Sequence, residues 1–152
     1  MVKYLETQVT FLEVPDEISL CINITNCPHR CAYCHSKQLR EDIGEELTIN
    51  KLKELIEQNK GITCVCFLGE GNDLTSLALL AQWVKMNTSL KTCWYTGLHG
   101  LRSTSLFDMG LFDFVKTGPY IKDRGPLNSK TTNQRFYKNV DNKWVDITYK
   151  FW

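Results

Sequence analysis

The segment Asn26-Cys27-Pro28-His29-Arg30-Cys31-Ala32-Tyr33-Cys34-His35 carries three thiols spaced C-x3-C-x2-C, close enough to surround one inorganic centre. Thiolates are the soft ligands that zinc and iron–sulfur clusters take from a protein. Three of them hold three irons of a 4Fe-4S cube and leave the fourth iron without a protein ligand. A small molecule with an amine and a carboxylate can chelate that iron, and an open position is what separates a reactive metal centre from a structural one. The competing chemistry is a structural zinc site in which His29 or His35 completes the thiolate set. Zinc usually draws its ligands from two separate knuckles, and no second C-x2-C or H-x3-H occurs in the chain.

The chain has seven cysteines, an odd number with three crowded into one segment. In a chain that is not exported this favours metal or redox use over a disulfide framework. Cys21, Cys64, Cys66 and Cys93 fall inside strand-like runs, where a free cysteine behaves as a small apolar residue. The formal net charge of +1 gives no broad basic field, so neither nucleic acid nor an anionic membrane is indicated as a partner. No apolar stretch approaches the roughly 18 residues of a membrane span, and the first residues lack a signal-peptide core, which points to the cytoplasm.

The cysteine loop needs elements to hold it. At 152 residues, with 43% hydrophobic and 23% charged residues, the chain fits one globular domain spanning 1–152. Val9 to Val14 reads as an extended segment stopped at Pro15-Asp16, and Ile18 to Thr25 as an alternating β-branched strand that leads straight into the cysteines. Leu47 to Gln58 has the amphipathic spacing of a helix, with Thr48 or Asn50 as N-cap. Ile62 to Leu68 is a continuous apolar run suited to a strand covered on both faces. Asp73 can cap a helix over Leu74 to Met86, Leu90 to Tyr95 is the next strand, and a weaker helix near Leu101 to Met109 precedes a strand over Phe112 to Lys116. Alternating strands and helices imply parallel pairing, in an open sheet or part of a barrel. A closed eight-unit barrel needs about 250 residues, so the expected fold is α/β, a partial (β/α) TIM-like barrel open on one side. Arg135 to Asn139 and Lys143 to Thr148 alternate around Asp141-Asn142 as a C-terminal β-hairpin extension.

With an aromatic Tyr33 just before the last cysteine and the loop following the first core strand, the C-x3-C-x2-C segment resembles the radical S-adenosylmethionine superfamily. The resemblance implies the barrel of that type, a 4Fe-4S cluster on Cys27, Cys31 and Cys34, and S-adenosyl-L-methionine bound beside it with Tyr33 near the adenine. There the reduced cluster gives an electron to the sulfonium, which splits to methionine and a 5'-deoxyadenosyl radical. Ligands of parallel α/β folds gather at the carboxyl ends of strands. Gly69-Glu70-Gly71-Asn72-Asp73 stands where the superfamily has a glycine-glycine-acid-proline turn for the methionine amine. Here the acid lies between the glycines and no proline follows. Trp94-Tyr95-Thr96-Gly97 is similar to a tryptophan-threonine-glycine segment of one small branch, which makes Tyr95 and Thr96 candidates for the cofactor site. The plain alternatives are a helix cap at Asp73 and a strand exit at Thr96.

The tail Lys116-Thr117-Gly118-Pro119-Tyr120 and the run Thr132-Asn133-Gln134-Arg135-Phe136-Tyr137 resemble the activating enzymes of anaerobic (class III) ribonucleotide reductase, over about Thr10 to Trp144. That resemblance implies removal of a Cα hydrogen from one glycine of the large reductase subunit, and an external electron donor such as flavodoxin or ferredoxin. Asn133, Gln134 and Arg135 are candidates for contacting cofactor or reductase, and Lys116, Lys122, Arg124 and Lys130 for a docking face, against ordinary hairpin-edge and surface roles. Competing readings are the activator of pyruvate formate-lyase or another glycyl-radical enzyme, a small radical enzyme of the 7-carboxy-7-deazaguanine synthase type, and a zinc-binding interaction module.

Overall fold

In the computed structural model, residues 1–28, 37–101 and 108–152 are described. Cys31, Tyr33 and Cys34, with His29 and His35, lie outside them, as does most of the helix expected near Leu101.

Four apolar strands form the centre: β2 (Ser19–Ile24), β4 (Cys64–Leu68), β5 (Lys91–Tyr95) and β6 (Phe114–Thr117). They run parallel in that spatial order, with Cys21 opposite Cys66 and Cys66 opposite Cys93. Each is covered on both faces, which is why β4 reads as an unbroken apolar run rather than an alternating one. Val65, Phe67, Trp94 and Val115 face the helices α1 (Ile49–Gln58) and α2 (Leu74–Asn87), which contribute Leu52, Leu55, Leu77, Leu80, Ala81 and Val84 to that core. Thr48 caps α1, its hydroxyl accepting from the Lys51 N–H at 3.0 Å. On the opposite face Cys21, Cys64, Cys66, Cys93 and Phe114 pack under Val14, Leu127, Phe136 and Ile147.

The expected partial barrel does not form. The described residues build one mixed eight-stranded sheet in the order β3-β1-β2-β4-β5-β6-β7-β8, with two α-helices, whereas a (β/α) barrel follows each strand with a helix. β1 (Lys3–Thr10) pairs antiparallel with β2, and β3 (Glu45–Glu46) with β1. On the other side β7 (Arg135–Val140) pairs antiparallel with β6, and β8 (Lys143–Asp146) with β7. Antiparallel neighbours need no crossover helix, so the flanks are pure sheet and the strands do not curl into a ring of β/α units. β1 also lies earlier than Val9 to Val14: Phe11 and Leu12 are 73% and 77% exposed in the bend that follows it. At the β7–β8 turn Asp141 (φ 50°) and Asn142 (φ 65°) both take the positive φ of a two-residue primed turn. Among the described residues no helix is long and apolar enough to cross a membrane.

Candidate functional site

The carboxyl ends of the four parallel strands open onto one cavity of about 280 Å³. Asn23 and Ile24 end β2 in its wall, Leu68 and Gly69 end β4, Tyr95, Thr96 and Gly97 end β5, and Lys116 and Gly118 end β6. The volume sits near the lower limit of the ~300–1,000 Å³ usual for small-molecule pockets. Cys27 stands at the β2 side of this cavity, half-buried. Asn26 adopts a left-handed conformation (φ 62°), and the Asn26 and Cys27 N–H groups donate to the carbonyls of Glu41 (3.0 Å) and Leu39 (2.8 Å). Asparagine tolerates that backbone better than most residues, and the two bonds fix where Cys27 sits.

The Gly69-to-Asp73 turn is held from three sides. The Gly69 N–H donates to the Tyr95 carbonyl at 3.1 Å, and the Trp94 indole N–H donates to the Gly69 carbonyl at 3.0 Å. At Gly69 φ is 116° and a Cβ would lie 3.1 Å from the Ile24 carbonyl oxygen, so glycine is required on both counts. Gly71 (φ 67°) packs as closely, with Ile24 and Val2 methyl groups 3.0 and 3.1 Å from where a Cβ would stand. Glu70 is 6% exposed, and its carboxylate accepts from the Thr96 hydroxyl and, at 3.1 Å, from the Gly97 N–H. It therefore ties the end of β4 to the end of β5. Asp73 caps α2: one oxygen accepts from the Ser76 N–H at 3.1 Å, the other from the Ser76 hydroxyl at 2.6 Å and from the Met1 ammonium at 2.7 Å. The Met1 ammonium and the Ser76 bonds hold the Asp73 carboxyl far below the usual carboxylate range. Of the turn's candidates, Gly69 reaches the cavity wall, Glu70 braces the neighbouring strand ends, and Asp73 serves the helix.

Tyr95 and Thr96 both line the cavity. The Tyr95 hydroxyl donates to the Glu13 carbonyl, and burial pushes the phenol well above its ordinary value. Thr96 is 2% exposed, its hydroxyl also accepting from the Leu98 N–H at 3.1 Å.

Lys116 corrects the expectation of a docking face. It is 8% exposed, its ammonium donates to the carbonyls of Thr96 (3.2 Å) and Gly118 (2.9 Å), and it lies 5.7 Å from the centre of the Tyr95 ring. Lys122, Arg124 and Lys130 are exposed, with Arg124 bonded to the Thr131 carbonyl at 2.8 Å. The three tail candidates separate in the same way. Gln134 lines the cavity, its amide donating to the Gly118 carbonyl at 3.4 Å. Asn133 donates to the Pro119 carbonyl at 3.0 Å, and Arg135 pairs with Asp146 at 2.8 Å across the hairpin.

A cluster with an open iron asks for soft thiolates beside a cavity that a chelating molecule can enter. Cys27 places one thiol in the cavity wall, beside Gly69 and Thr96 at the ends of β4 and β5. Among the described residues no group of three or more histidine, cysteine or acidic side chains is arranged to hold a metal ion, and Cys31 and Cys34 fall outside them. Cys21, Cys64, Cys66 and Cys93 are buried in the second core and take no part in the cavity wall. The Cys27 thiol in the cavity wall is of the type that ligates such a cluster. Compared with family models, curated proteins and solved structures, the chain matches none.

Proposed function

We propose that this protein is a radical S-adenosylmethionine enzyme that generates a glycyl radical on a protein partner, the large subunit of an anaerobic ribonucleotide reductase. The observation that carries the reading is the meeting of Cys27, first of the C-x3-C-x2-C thiols, with the ends of four parallel strands at one cavity. Cys27, Cys31 and Cys34 would hold the cluster. When bound, the cluster supplies one electron, drawn from flavodoxin or ferredoxin, for reductive cleavage of S-adenosyl-L-methionine.

The chain's own residues do the rest. Glu70 holds Thr96 and Gly97 so that the β5 end keeps a fixed shape while a ligand enters. Lys116 places a positive charge in the cavity wall, suited to a ligand carboxylate, and its two carbonyl contacts keep it from swinging out to water. Leu39, Leu68 and Pro119 exclude water around the reacting atoms, as radical chemistry requires. Glycine suits the reaction because an amide nitrogen and a carbonyl spread the unpaired electron and no side chain blocks approach. The reading places the protein in the cytoplasm. Its test is electron paramagnetic resonance of a reductase large subunit mixed anaerobically with the reduced, reconstituted protein and S-adenosylmethionine. A glycine-centred doublet that requires both proteins supports the reading. Cofactor cleavage without any signal on the reductase refutes the assigned partner.

A further inference from the structure

The second core holds a feature that the proposed function does not use. Cys21, Cys66 and Cys93 stand opposite one another on three adjacent parallel strands, so their side chains form a row across one face of the sheet. Directly paired residues on neighbouring strands are about 4.8 Å apart. That lies inside the ~4.4–6.8 Å Cα separation that a disulfide spans. The thiols are near enough to act on one another: Cys21 and Cys93 are both among the groups that shift the Cys66 thiol. All three are buried and reduced, as is Cys64, two residues before Cys66 on the same face. Leu68 and Tyr95 belong both to this core and to the cavity wall, so the row begins directly behind the cavity.

We propose that this row is a peroxide-oxidisable exchange site that takes one disulfide, always through Cys66, with either Cys21 or Cys93 as the other half. The reaction balances as two thiols and one hydrogen peroxide giving one disulfide and two waters. Because Cys66 pairs with Cys21 on one neighbouring strand and with Cys93 on the other, the remaining thiol stands on the opposite side of Cys66 from the bonded one. That is the arrangement in which a thiolate attacks a disulfide sulfur and displaces its partner. Attack by Cys93 on Cys66 forms the Cys66–Cys93 bond and expels the Cys21 thiolate, and the reverse step restores it. The neighbouring Cys66 thiol, then burial, raises Cys21; burial raises Cys66, Cys93 to about 11 and Cys64 to about 12, and the Glu13, Glu17 and Asp113 carboxylates push Cys21, Cys64 and Cys93 the same way. The row is therefore slow to react at neutral pH. It speeds up about tenfold per pH unit as the thiolate fraction grows. The inference does not depend on the proposed function.

The test uses the full chain with Cys27→Ser, Cys31→Ser and Cys34→Ser, so that the loop thiols cannot compete. After hydrogen peroxide treatment while folded, the protein is unfolded in iodoacetamide and its intact mass and peptide linkages are read. The expected result is one disulfide per chain, divided between Cys21–Cys66 and Cys66–Cys93. It should persist in Cys64→Ala and, through the other partner, in Cys21→Ala or Cys93→Ala, and be lost in Cys66→Ala. Linkage mapping in the parent chain keeps the test decisive should Cys66→Ala fail to fold. Four alkylated thiols after treatment, or a bond that involves Cys64, would overturn the proposal.

Discussion

Cutting the brace between the ends of β4 and β5 should weaken the whole domain by an amount that can be worked from two bonds. Thr96→Val keeps the shape of a side chain only 2% exposed and removes the hydroxyl that donates to Glu70. A hydrogen bond to a charged group contributes about 1.5–3 kcal/mol. The loss of the Leu98 contact adds a neutral bond of about 1 kcal/mol, so Thr96→Val should cost about 3 kcal/mol. Glu70→Ala removes the same bond together with the one from Gly97, and should cost about 3–6 kcal/mol. Both variants lose the Thr96–Glu70 bond, so the double variant should be destabilised by about 1.5–3 kcal/mol less than the sum of the singles. Urea denaturation followed by the fluorescence of buried Trp94 measures all four proteins. For a chain of this size each kcal/mol lowers the melting temperature by roughly 2–4 °C, so Thr96→Val should melt about 6–12 °C lower. Additivity within about 0.5 kcal/mol would show that Glu70 and Thr96 do not act as one brace, and the account of the turn would fail.

Removing the cap at Thr48 by Thr48→Ala should cost about 1 kcal/mol, restored by Thr48→Asp and read in the same denaturation assay. Burial raises the Asp146 carboxyl, but its bonds to Arg135 and Thr148 outweigh that and leave it below its ordinary value. The stabilisation it gives is present above the unfolded carboxylate range and is lost as pH falls through the lowered value. Asp146→Asn should therefore weaken the protein at pH 7 and match the parent under strongly acid conditions, as urea midpoints across pH would show. Lys116→Met should lower 5'-deoxyadenosine formation by about tenfold, the equivalent of about 1.4 kcal/mol in ligand binding. Lys122→Met, on the surface, should leave it unchanged. Cys31→Ala should abolish cofactor cleavage while Cys64→Ala leaves it largely intact, by chromatography of the products.

Local elements were legible because their signals are local. The amphipathic spacing behind Thr48 and the capping aspartate before Leu74 gave both helices, the apolar run 62–68 gave β4, and Asp141-Asn142 marked the last turn. The barrel was misread because strand direction depends on distant partners: nothing near Arg135 shows that β7 returns antiparallel to β6. The charge of Lys116 points to a docking face, and Gln134 reads as a contact to cofactor or reductase or as an ordinary hairpin-edge residue. A period of two carries the opposite message, since Lys116 follows Phe114 and Gln134 precedes Phe136 by two residues, and both phenylalanines face the second core. That signal was available. The thiol row was not, because Cys21, Cys66 and Cys93 become neighbours only through the register of three strands.

The central assignment, a cluster on Cys27, Cys31 and Cys34 that opens S-adenosylmethionine, is tested most directly by anaerobic reconstitution with iron and sulfide, reduction, addition of the cofactor and chromatography for 5'-deoxyadenosine. Four irons per chain with deoxyadenosine formed by the parent and not by Cys31→Ala is the expected result. A colourless protein that takes up zinc and leaves the cofactor whole would contradict it and make the chain a zinc-binding interaction module.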